Sequence, residues 1–175
     1  MKLTPAMQDF ILHWGEMGAK WGTNRSVAQV HALLHISPEP LTAEEISETL
    51  GLARSNVSTA LKELQGWKLV QVSRQLGDLR DHFTSIRDMF ELVNVVIEGR
   101  RAREFAPTLE AMRKVTAEAE ADATPPEVRR RMQDTLQTMD LFDSWYRDVS
   151  RLPRSVQMGV LKLGARVARF LPGGG

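Results

Sequence analysis

The chain has 175 residues, 42% of them apolar and 26% charged, with a formal net charge of +1. Such a composition excludes a disordered chain, and no apolar run approaches the roughly 20 residues that cross a bilayer, so no membrane partner is expected. There is no cysteine, which removes disulfides and thiol chemistry, and four scattered histidines leave little for a metal. Asp9, His13 and Glu16 interrupt the first apolar stretch in a way that a secretory segment would not tolerate, so the expected location is cytoplasmic.

The basic excess is unevenly placed. Residues 25–85 carry 6 cations against 7 acids, whereas residues 151–175 carry 5 cations and no acid. Any nucleic-acid contact made by the first of these segments must therefore come from signs separated in space rather than from net charge.

In chain order, Phe10, Ile11, Trp14, Met17 and Trp21 follow a 3.6-residue stripe, which predicts a helix that starts after Thr4 with Pro5 at its first position. A second helix opens at about Asn24, burying Val27, Val30, Leu33 and Leu34, and ends before the two prolines of "SPEP". Thr42 and Glu45 have capping-box spacing and start a short helix that Gly51 closes. After a tight link, Val57, Ala60, Leu61 and Leu64 recur at i, i+3, i+4 and i+7 of a longer helix, expected at 54–65. Short helix, glycine-containing turn and longer helix make a helix-turn-helix.

Next, "KLVQVSR" alternates Leu69, Gln71 and Ser73 against Val70 and Val72. With a Gly-Asp turn and a second extended run, "DHFTS", it predicts a two-stranded β-wing centred on 73–81. Helical patterns return at about Ser85 and run through Ile86, Met89, Phe90, Val93, Val96 and Ile97 until about Pro107; "TLEAMRKVTAEAEADA" makes another helix. A long helix follows, with Thr124 as its expected cap and Met132, Leu136, Met139, Leu141, Phe142 and Trp145 as its apolar positions. A basic amphipathic segment, "SVQMGVLKLGARVARFL", precedes a glycine-rich end.

The polar face of the helix at 54–65 carries the functional argument. It presents Arg54, Ser55, Asn56, Ser58, Thr59 and Lys62, with no acid before Glu63. A helix in a DNA major groove needs short donors and acceptors for base edges beside cations for phosphates, and it cannot present acids. Ser and Thr are poor helix formers, so their concentration here points to a use other than helix stability. The competing reading is an ordinary solvated face. Glu44, Glu45 and Glu48 sit on the preceding helix and are expected to face away from DNA, while Arg74 and Arg80 flank the wing turn.

The run "WGTNRSVAQVHALLHISPEPLTAEEISETLGLARSNVSTALKELQGWKLV", followed by "GDLRDHF" and "IRDMFELVNVVIEGRRARE", resembles the GbsR-like branch of the MarR transcriptional regulators over roughly residues 10–115. That resemblance implies a winged-helix regulator acting as a homodimer on operator DNA. On it, Arg54, Asn56, Val57 and Ser58 fall on the recognition-helix pattern, and Gly77, Asp78 and Arg80 on the wing pattern. Three departures stand out. Ala53 replaces a Ser or Thr cap, Leu79 replaces a wing arginine, and Lys68 takes a common glycine position, which shifts the expected end of the recognition helix by a residue or two.

His31 and His35 have the i, i+4 spacing of metal ligands but lack a nearby acid, so buried or interface imidazoles are the expectation. Trp14, Trp21, Trp67, Trp145 and Tyr146 are read as core positions, with an aromatic cage as the alternative. The basic tail helix is expected to pack on a partner subunit rather than on an anionic membrane. No phosphate loop, nucleophile elbow or carboxylate pair marks a catalytic site.

The resulting expectation is a mainly α (α+β) protein: a winged helix-turn-helix DNA-binding domain at 1–88, a helical dimerisation region at 89–171 and a flexible tail at 172–175. Its partners are double-stranded DNA, a second copy of itself and a small-molecule effector of unknown identity. The alternative function is a winged helix used for protein contact without sequence-specific DNA binding.

Overall fold

The computed structural model describes the backbone of residues 1–170 and the side chains of residues 1–164; the tail expected at 172–175 lies outside the described residues. The chain forms two compact units, Met1–Ala102 and Arg103–Gly175.

In the first unit, α1 (Pro5–Lys20) is capped by the Thr4 hydroxyl, which accepts from the Met7 amide, and has Pro5 at its first position. Helix α2 (Arg25–Ile36) is capped by Asn24. The capping box of α3 (Ala43–Leu50) is complete, because the Glu45 amide donates to Thr42 Oγ1 while Glu45 Oε2 accepts from the Thr42 amide at 2.8 Å. Helix α4 (Arg54–Gly66) has no side-chain cap, as Ala53 dictates.

The wing consists of β2 (Val70–Gln75) and β3 (Asp78–Ser85), joined at Leu76 and Gly77, where Gly77 takes a positive φ of 85°. A short strand that the sequence pattern does not reveal, β1 (Leu41–Thr42), adds to the other edge of β3 and makes a three-stranded antiparallel sheet of order β1-β3-β2. It pairs Leu41 with Phe83 and Thr42 with His82, fixing the base of the wing to the start of α3. The alternation expected along β2 has no buried face behind it: only Val70 is covered, and Val72 stands exposed.

One continuous core unites Val30, Leu33, Ile46, Val57, Leu61, Leu64 and Phe83 with Leu92 of α5 (Met89–Arg100). The chain then passes through a π-helical turn, Arg101–Phe105, into α6 (Ala106–Ala121), so the helical path continues beyond the stop expected near Pro107, which sits harmlessly in the first turn of α6.

In the second unit α6 packs on α7 (Pro126–Ser150). Thr124 does not cap α7. Its amide and hydroxyl both donate to Asp122 in the preceding turn, and Pro125 occupies the cap position without a side-chain bond. Helix α8 (Arg154–Phe170) closes the described chain. No described helix is long and apolar enough to cross a membrane.

Candidate nucleic-acid interface

Helix α4 lays its apolar residues into the core and leaves the opposite side in solvent. Arg54, Ser55, Asn56, Ser58, Thr59 and Lys62 are all exposed. Val57, which the family resemblance places among the recognition residues, is 0% exposed and belongs to the core, so it lies outside the exposed face of α4. Among the described residues Ser55, Asn56, Ser58 and Lys62 have no side-chain hydrogen bond or ion pair. The Thr59 hydroxyl donates to the Ser55 carbonyl at 3.0 Å and keeps only its lone pairs for an outside donor.

The cations behave differently from the short polar groups. Arg54 lies 3.8 Å from Glu44, Arg74 3.3 Å from Asp81, and Arg80 2.6 Å from Asp78. The expected separation of signs is therefore incomplete, since Glu44 reaches the first turn of α4 instead of facing away, and the wing brings its own two acids. Side-chain and backbone hydrogen bonds from Arg80 hold the Asp78 carboxyl well below the usual carboxylate range. A phosphate approaching the wing must compete with these carboxylates. The apolar wing tip is bare: Leu76 and Leu79 are fully exposed.

The end of α4 resolves the question raised by Lys68. The helix runs to Gly66, Trp67 caps it, and Lys68 itself adopts the left-handed conformation at φ 60°. The Lys68 amide donates to the Gln65 carbonyl and the Leu69 amide to the Leu64 carbonyl, both at 2.9 Å. This is a Schellman closure with lysine in the glycine seat, and the helix ends one residue beyond the expected 54–65.

Behind α4, sequence reasoning missed a cavity. It occupies about 500 Å³ within the first unit, and its walls include Trp14, Trp21, Trp67, His31, Leu92 and Val96. Three of the five aromatics considered for a cage meet here; Trp145 and Tyr146 belong to the second unit. Gly99 permits the arrangement, because a Cβ there would stand 2.8 Å from the Trp67 ring. His31 is buried, with Nε2 hydrogen-bonded to Ser85 Oγ at 3.0 Å, and burial together with the neighbouring His35 pushes its pKa down to about 4. His35 Nδ1 donates to the Ile86 carbonyl at 3.0 Å, and its ring stacks on Trp14. The histidine pair thus ties α2 to the end of the wing and the residue that follows it. Its signal in the sequence was the i, i+4 spacing, which marked a shared face but not what that face meets.

Residues 21–81 match the profile of the MarR family. The chain is 23% identical over 159 residues to the HTH-type transcriptional repressor GbsR of Bacillus subtilis (strain 168), covering 87% of this chain and 83% of that protein. The chain is thus similar to GbsR over most of its length and to the MarR family over residues 21–81. A crystal structure of a transcriptional regulator shares its fold, with a TM-score of 0.55 and 20% identity over 82% of this chain and 95% of that one. Within the MarR segment, Ala53, Lys68 and Leu79 remain the departures, and each now has a structural address: a missing cap, a left-handed lysine and a bare wing tip.

Proposed function

We propose that the protein is a sequence-specific DNA-binding transcriptional regulator that acts as a homodimer on a pseudo-palindromic operator. The observation that carries this reading is the exposed face of α4, where Ser55, Asn56 and Ser58 stand unengaged between Arg54 and Lys62. Free donors and acceptors of short reach suit base edges, and Asn56 has the two-pronged amide that pairs with adenine; Arg54 suits guanine. Lys62, Arg74 and Arg80 are assigned to phosphates, with the wing near the backbone or the minor groove. Two-fold symmetry sets half-sites about one helical turn, or ~10 base pairs, apart. The second unit supplies the dimer contacts.

The cavity behind α4 is the proposed effector site. Its walls are almost wholly apolar, which fits a small and largely apolar molecule. Such a molecule regulates only if it favours one arrangement of the reading helices over another, since equal affinity for both would shift nothing.

Selection of bound fragments from a random DNA pool at near-physiological salt tests the reading. The expected outcome is a palindromic consensus. Asn56→Ala should cost about 1–3 kcal/mol of discrimination at one position of each half-site, while Lys62→Ala should weaken binding to all sequences alike and reduce the salt dependence. Binding without sequence preference in the parent protein would instead favour a winged helix used for protein contact.

A further inference from the structure

The second unit leaves two apolar surfaces uncovered, and they complement each other. On α8, Val156, Val160 and Leu163 recur at i, i+4 and i+7 and share one side of the helix, while Arg154 and Lys162 fall on the other. Val156 is 45% and Leu163 62% exposed. Among the described residues, no element of the protomer packs extensively against α8.

Helix α7 has the matching deficit. One of its sides meets α6, where Arg113 pairs with Asp140 at 2.6 Å and Gln133 donates to Glu120 at 3.1 Å. Away from that side stand Leu141, Phe142 and Trp145, which are 67%, 64% and 55% exposed. Leu141 and Trp145 are one turn apart, and the exposed Asp134 and Asp148 lie seven residues before and after Leu141, on the same flank. The charges agree with the apolar match: residues 103–150 carry 7 cations against 10 acids, while residues 151–175 carry 5 cations and none. Three large side chains in five residues form a patch that a soluble helix does not leave bare without a use.

We propose that α8 of one protomer seats its apolar face on the Leu141–Trp145 stripe of a second copy, reciprocally, so that the dimer contains two identical seats. The inference rests on the homodimer reading above and specifies what closes the dimer. An isologous contact uses each surface twice, and the cations beside the α8 face then lie against the acids that flank the stripe.

The test uses the full-length chain in sedimentation velocity over a range of concentrations, with Leu163→Glu and Trp145→Glu as single variants. Both change exposed positions, and circular dichroism checks that the helices are retained. Each variant alone spoils both seats of its homodimer and should weaken self-association at least about tenfold. In an equimolar mixture of the two, labelled with different fluorophores, one seat joins an intact α8 to an intact α7. The mixture should therefore form mixed dimers more tightly than either variant dimerises alone. If neither substitution weakens a dimer that the parent forms, the homodimer reading stands and this seat is wrong. A parent chain that stays monomeric removes the homodimer reading itself. Weakening by both variants without rescue on mixing places α8 on its own protomer and overturns the proposal. So does a chain that co-sediments with anionic phosphatidylglycerol vesicles through Leu163 while its self-association is indifferent to that residue, because the occupant is then a lipid surface.

Discussion

The two units of this chain solve the burial problem in different ways. Residues 1–102 build their helices and sheet around one shared core, and its central side chains, Val30, Leu33, Ile46 and Val57, are inaccessible to solvent. Among the described residues of the second unit the fully covered apolar side chains are few, Leu109 and Ala119 among them, while Leu141, Phe142 and Trp145 stand in solvent. A helical hairpin has only one inner face, and amphipathic helices that present apolar residues on a second face require a second surface to cover it. The first unit holds α4 in place with its own core, whereas the second leaves large apolar side chains in solvent.

The largest expected effect sharpens that contrast. Leu33→Ala removes a side chain from the middle of the first unit's core and should cost about 2–5 kcal/mol, seen in hydrogen exchange as lost protection across α2, α3 and α4. The same experiment on Leu141→Ala should leave protection within an isolated protomer nearly unchanged, since an exposed side chain has little burial to lose. Equal destabilisation by the two substitutions would break the comparison.

Acid should act on the first unit through His31. Its folded-state pKa of about 4 lies below the unfolded value of 6.5, so the unfolded chain binds the extra proton first and stability falls as pH drops from about 6.5 towards 4. The full loss is on the order of 3 kcal/mol. Denaturant midpoints measured across that range should show the decline, and His31→Gln should flatten it. A midpoint that rises on acidification in the parent would contradict the buried, neutral imidazole.

The smallest expected effect concerns the end of α4. Lys68→Gly removes a side chain from a left-handed residue and should stabilise the first unit by about 1 kcal/mol, less the entropy that glycine returns to the unfolded chain. Thermal unfolding reports the sign. If the substitution destabilises, the stem of Lys68 contributes packing that outweighs its backbone strain.

Most of the elements are legible in the sequence because their signals are local. Thr4 with Pro5, Asn24, and Thr42 with Glu45 start helices through hydrogen bonds that span three residues or fewer. The exposed face of α4 was legible for the same reason: which side of a helix faces outward follows from the spacing of its apolar residues, and the chemistry of that side can be read directly. Thr124 misled because a competing acceptor, Asp122, lies two residues away, and local pattern alone does not rank the two choices.

What required tertiary structure was everything set by residues distant along the chain. The strand β1 exists because Leu41 and Thr42 meet Phe83 and His82, a pairing with no trace in a two-residue segment. The carboxylate that holds Arg54 comes from another helix, and the one that holds Arg74 comes from across the hairpin. The cavity arises where Trp14, Trp67 and Leu92, from three separate stretches, fail to fill the space between them. Periodicity determines which way a side chain points, because helix geometry is local; what it meets there depends on the packing of whole elements, and only the folded chain decides that.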